Sequence, residues 1–180
     1  MKRLYTAYLS YPEFVDTAIR EEYTRIVTTW PNKRTFEFKP MIPLWKVMLS
    51  EKYEEELINR LNNIDIQVIS KLKIKGYELR LDTGYVFLTF DDQSSDFLKT
   101  YSSQISYAMK FGDAEDHMPY GFEPHTSIIK QDSSVLEVLY STLSHKLDGM
   151  EFTPSEIVIS KEIRSESMVS FDVVFRSRIS

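Results

Sequence analysis

The chain has 180 residues, a formal net charge of −5 and no cysteine. That length suits one domain over residues 1–180, built as a single core or as two small lobes sharing one. The negative balance argues against broad, sequence-independent binding of duplex DNA or long RNA, where many phosphates must be neutralised, but it leaves room for a local basic site. The missing cysteines exclude disulfides and thiolate metal sites. No apolar run reaches the length of a membrane span, and no signal-like apolar core follows Lys2 and Arg3. A cytoplasmic protein with no membrane partner is therefore expected.

Residues 4–10 read as a strand. After Pro12, the positions Ile19, Tyr23, Ile26, Val27 and Trp30 fall three and four apart, which predicts a helix closed by Pro31 and Asn32. Residues 35–49 are extended, with Pro40 leading the apolar part. Ser50 reads as an N-cap, followed by acidic residues in the first turns of a helix burying Tyr53, Leu57, Ile58 and Leu61. Strands are expected over residues 64–74 and 77–90, the second broken by a turn at Asp82-Thr83-Gly84. A helix then shows Phe97, Leu98, Tyr101, Ile105, Ala108 and Met109 on one face, and residues 112–121 form an acidic loop. A strand at His125, a helix over 133–146 and strands over 152–162 and 168–178 complete the chain.

This order contains a duplication. Each half offers a strand, a helix, a Pro-led strand, a second helix and one or two further strands, with an inexact junction. The fold class expected is α+β: two pseudo-symmetric lobes of antiparallel sheet, helices packed outside, around a central cleft. The Pro-led strands that begin at Pro40 and Pro124 would face each other across that cleft.

The segment Phe122-Glu123-Pro124-His125-Thr126-Ser127-Ile128-Ile129 bears most directly on function. In a strand, side chains two apart share a face, so His125 and Ser127 point to one site. There the imidazole can move a proton while the hydroxyl bonds a non-bridging phosphate oxygen. On these residues, and on the element order, the chain resembles the 2H phosphoesterase superfamily, which includes cyclic nucleotide phosphodiesterases and the 2′-5′ RNA ligase-like proteins. In length, and in the closing segment from Leu147 to Phe152, the likeness is closest to the plant and fungal 2′,3′-cyclic phosphodiesterases. Members are built as two pseudo-symmetric lobes, each with a His-x-Thr/Ser motif introduced by proline. Pro124-His125-Thr126-Ser127 matches the second motif. Where the first should stand, Pro40-Met41-Ile42-Pro43 has Met41 at the histidine position and Pro43 at the hydroxyl position. Met41 has no titratable proton, and Pro43 has neither a hydroxyl nor a backbone N–H.

The resemblance implies His125 and Ser127 as the catalytic positions, with no metal and no cofactor. Phe122, Tyr120 and Tyr8 are candidates to line the ligand site. A register shifted along the first motif would supply Lys46 as a cation. The expected ligand is a small nucleotide or cyclic oligonucleotide, held as a cyclic nucleotide or a 2′,3′-cyclic phosphate end with impaired or absent hydrolysis. Two alternatives stay open: an active cyclic nucleotide or 2′-5′ phosphodiesterase pairing His125 with a group such as His117 or Lys46, and an interaction protein keeping only the fold. Asp113, Asp116 and His117 read as a solvated loop before a metal site. His145, beside Lys146, reads as a cation at a helix C-terminus. Lys71, Lys73 and Lys75 read as a solvated strand face or a protected edge, and Arg34, Lys39 and Lys130 as further cations near the two central strands.

Overall fold

Large apolar side chains occupy both faces of the first strand, so the fold has to cover both. The computed structural model describes residues 1–31, 38–64, 71–118, 122–164 and 169–179. Its described elements run β1 (Lys2–Ser10), α1 (Glu13–Thr29), β2 (Ile42–Ser50), α2 (Glu54–Asn62), β3 (Leu72–Arg80), β4 (Tyr85–Phe90), α3 (Asp92–Met109), β5 (Glu115–Asp116), β6 (His125–Lys130), α4 (Ser133–Ser141), β7 (Glu151–Phe152), β8 (Glu156–Arg164) and β9 (Val169–Arg178). They form two antiparallel sheets, one in the order β5-β2-β1-β8-β9 and one in the order β6-β4-β3-β7. Tyr5, Ala7, Tyr8 and Leu9 of β1 are all buried.

The helices bind the two sheets together. On α1 the buried positions Val15, Ile19, Glu22 and Ile26 form one stripe. Glu22 within that stripe accepts hydrogen bonds from the Ser144 N–H (2.9 Å) and hydroxyl (2.8 Å), fixing α1 to the segment beyond α4. Burial pushes the Glu22 carboxyl up, but the bonds from Arg25 and Ser144 outweigh it and hold the group below its ordinary value. The Asp91 side chain caps α3 by accepting from the Ser94 N–H (2.9 Å). Ser102 of the same helix donates to the Leu44 carbonyl (2.6 Å), seating α3 on β2. Tyr140 of α4 donates to the Tyr77 carbonyl (2.9 Å) on β3.

The expected duplication takes a definite form. The halves run β1-α1-β2-α2-β3 and β4-α3-β6-α4-β8, and each sheet is built on three corresponding strands, β2-β1-β8 and β6-β4-β3. The third strand of each half crosses into the other half's sheet. That exchange is why the order looked inexact at the junction.

Several boundaries differ from the sequence reading. Of the strand expected over 64–74, the described part starts at Leu72, and residues 65–70 lie outside the described residues. It then continues without a break to Arg80 through a bulge where Gly76 takes φ 141°. Residues 81–84 make the hairpin turn, as expected. Ser50 does not cap: its hydroxyl donates to Asp113 (2.5 Å), and the chain enters α2 through a short 3₁₀ turn, Glu51–Tyr53. The loop over 112–121 includes the edge strand β5. The helix expected to reach 146 ends at Ser141, so His145 is no helix-terminal cation; it sits in a turn at φ 55° and pairs with Asp148 at 2.9 Å. Phe152 belongs to β7 in the second sheet, and β8 begins at Glu156. Lys71, Lys73 and Lys75 are exposed, on or beside a strand paired along both edges. No helix among the described residues is long and apolar enough to cross a membrane.

Candidate active site

Strand register places the two motif segments at corresponding points of the two sheets. In the second sheet, Ser127 lies opposite Phe87, Ile129 opposite Val86 and Lys130 opposite Tyr85, so Ile128 is the extra residue of a bulge. In the first sheet, Pro43 lies opposite Tyr8, Trp45 opposite Ala7 and Lys46 opposite Thr6, which makes Leu44 the extra residue. The correspondence therefore runs Met41 to His125, Pro43 to Ser127 and Lys46 to Lys130, with Tyr8 matching Phe87. Hydrogen-bond register alone thus yields the same correspondence as the motif.

A buried hydroxyl pair joins the two segments. The Thr126 hydroxyl donates to the Met41 carbonyl at 2.7 Å, and Tyr11 OH, 2.7 Å away, donates to Thr126 in turn. Thr126 is 1% exposed. Its burial points His125 and Ser127, on either side of it, to the opposite face.

On that face the His125 ring packs on Phe87, with centroids 4.2 Å apart. Its Nδ1 lies 2.6 Å from the Glu123 carbonyl. A carbonyl can only accept, so Nδ1 carries the proton and the neutral ring keeps its lone pair on Nε2. Burial pushes the His125 pKa below its ordinary value, and the Arg80 and Lys46 cations add to the effect, against the opposing bond to the Glu123 carbonyl and the charge of Glu78. His125 is thus a neutral base near physiological pH. The neutral ring's contribution to stability is present above the unfolded-state value, about 6.5, and is lost as pH falls through the lowered folded value. An NMR titration is expected to show His125 protonating below about pH 6.5, with bound phosphate moving the midpoint upward. A midpoint above the ordinary value in the free protein would contradict this geometry.

The other sequence candidates divide. Lys46 lies opposite Thr6 and acts electrostatically on His125. Tyr8 holds the position matching Phe87 but is buried, its hydroxyl accepting from Lys39 Nζ at 2.6 Å with the ammonium 4.8 Å from the ring centroid. Phe122 is half-buried ahead of β6. Tyr120, like Arg34, lies outside the described residues. His117 is exposed, and its N–H donates to the Lys46 carbonyl at 3.0 Å, which extends the β5–β2 register and sets His117 opposite Lys46. Asp113 accepts from Ser50, and Asp116 pairs with Lys110 at 2.7 Å. Among the described residues no three His, Asp or Glu side chains group as a metal site.

Sequence reasoning missed three neighbours of His125. Phe87 lies under its ring, and Arg80 and Glu78 act on its charge. The signal was the alternation Glu78-x-Arg80 and Tyr85-x-Phe87-x-Thr89 about the turn at 81–84, which becomes legible once the strands are paired. A hollow of about 540 Å³ is lined by Ile64, Thr100, Ser103, Gln104 and Tyr107, none of which belongs to the two motif segments.

No protein-family model matches this sequence, and no curated protein matches it. Solved structures do. Escherichia coli LigT in complex with 3′-AMP matches at a TM-score of 0.67 and 15% identity, over 100% of this chain and 99% of its own. A structure described as a phosphoesterase matches at 0.66 and 16%, over 100% and 99%. TT0787 of Thermus thermophilus matches at 0.63 and 14%, over 98% and 97%. At such identities the likeness is one of fold, and it spans nearly the whole of both chains. Two exchanged antiparallel lobes with outer helices give this chain the LigT-like fold of the 2H phosphoesterases.

Proposed function

We propose that the face around His125 binds a small phosphodiester, a cyclic nucleotide or a 2′,3′-cyclic phosphate end, with impaired hydrolysis. The observation that carries this reading is the pairing of His125 and Ser127 in one sheet with Met41 and Pro43 at the corresponding positions of the other. Once protonated under the ligand's negative charge, His125 offers an Nε2–H donor beside the Ser127 hydroxyl and the Lys46 charge, which together suit an anionic diester. A second acid to protonate the leaving oxygen is missing from the matching position. LigT has been seen with 3′-AMP, ATP and NADP+, which supports a nucleotide as the ligand.

The test is a panel of 2′,3′-cyclic mononucleotides, 2′-5′ oligoadenylates and cyclic di- and trinucleotides, followed by calorimetry and by product analysis. Binding without product is expected, weakened about tenfold by His125→Ala and by Ser127→Ala, the scale of a charge-assisted hydrogen bond. No binding across the panel, or unchanged binding in His125→Ala, would overturn the reading. Product that disappears in His125→Ala would favour an active phosphodiesterase instead. His117, the residue after β5, and Lys46 of β2, joined by the bond from the His117 N–H to the Lys46 carbonyl, are the groups that would then supply the second proton transfer.

A further inference from the structure

The two half-sites differ in one feature that the motifs do not mention. Beside Phe87 and Tyr85, β3 contributes Glu78 opposite Phe87 and Arg80 opposite Tyr85. The corresponding residues of the first sheet are Val158, opposite Tyr8, and Ser160, opposite Thr6. Only the lobe that carries His125 has this charged pair.

The pair is held in a fixed arrangement. Glu78 Oε1 accepts from Arg80 Nε at 2.6 Å, and the guanidinium carbon rests 5.4 Å from the Phe87 ring centroid, within cation–π range. Phe87 is itself fixed between Tyr85, stacked at 5.3 Å, and His125 at 4.2 Å. Among the described residues, the terminal nitrogens of Arg80 make no hydrogen bond, and neither does the second oxygen of Glu78. The side chains are 37% and 43% exposed. They therefore present two donors next to an acceptor on a preorganised edge.

We propose that Arg80 and Glu78 form a nucleobase subsite, reading the polar edge of the base whose phosphate sits at His125 and Ser127. This rests on the phosphodiester reading above and narrows it to ligands that carry a heterocycle. A second phosphate is the wrong partner, because the Glu78 carboxylate would repel it. A base edge alternates acceptors with N–H donors, so it can satisfy the arginine and the carboxylate together. The spacing agrees: β3 lies two strands from β6, roughly 10 Å at ordinary strand separation. That exceeds the reach of one phosphate and leaves room for a ribose.

The experiment compares 2′,3′-cyclic AMP and GMP with glycerol 1,2-cyclic phosphate, which has the strained diester and no base. The comparison is made on the wild-type chain and on Arg80→Met combined with Glu78→Gln, a pair that leaves net charge unchanged. The wild type should bind the nucleotides about tenfold tighter than the glycerol compound, the margin of one good polar pair. The double variant should lose that margin while binding the glycerol compound within about twofold of wild type. A margin that survives in the variant, or its absence from the wild type, overturns the subsite and leaves the phosphodiester reading standing. Failure of all three ligands to bind the wild type overturns both.

Discussion

Met41→His combined with Pro43→Thr is expected to raise cleavage of a 2′,3′-cyclic phosphate by about 10²–10⁴-fold over the wild type, the usual worth of one positioned acid or base. The expectation follows from register. Met41 precedes Pro43 by two residues as His125 precedes Ser127, and both strands carry their bulge at the next residue. A histidine at 41 would meet the ligand from the side opposite His125. The interlobe bond from Thr126 goes to the Met41 carbonyl, so the side-chain change does not remove it. Pro43 is half-buried, and threonine is at home in a strand. The gain should vanish when His125→Ala is added, because the two histidines act as a unit. A folded double variant that binds ligand and shows no gain would mean that the chemistry does not follow the pseudo-twofold relation.

What the sequence made legible was periodic. Helix α1 was readable from Ile19, Tyr23 and Ile26, and α3 from Leu98, Tyr101 and Ile105, since burial on one side of a helix leaves a pattern spaced at three and four. The motif around His125 was readable because strand alternation puts residues 125 and 127 on one face whatever the neighbours are. Other features depended on contacts distant in sequence. Nothing local marks Thr126 as a link to Met41, or shows that β3 leaves its own half to pair with β4. Arg80 and Glu78 were passed over because a strand bearing charges reads as solvated until its opposite neighbours are known. His145 was misplaced for another reason: the spacing of Leu136, Leu139, Leu143 and Leu147 runs on past the end of α4 at Ser141, and in the turn that follows His145 pairs with Asp148.

Thr126→Val is expected to be the most damaging single change near the site that leaves His125 and Ser127 in place. Valine keeps the shape of threonine but neither donates to the Met41 carbonyl nor accepts from Tyr11 OH. The Tyr11 side chain is buried, so its hydroxyl is left without the partner it has now. Stranding such a group costs roughly 1–3 kcal/mol, and losing the second bond brings the sum to roughly 2–4 kcal/mol. For a chain of this length that lowers Tm by about 5–15 °C, readable by calorimetry. Tyr11→Phe alone should cost only about 1 kcal/mol, because Thr126 keeps its bond to Met41. The two changes together should cost less than their sum, since phenylalanine removes the hydroxyl that valine strands. Additive losses would show that Tyr11 and Thr126 act separately. Ligand affinity should fall with Thr126→Val even at temperatures where the protein is folded, because this hydroxyl pair ties the end of β2 to the strand that presents His125.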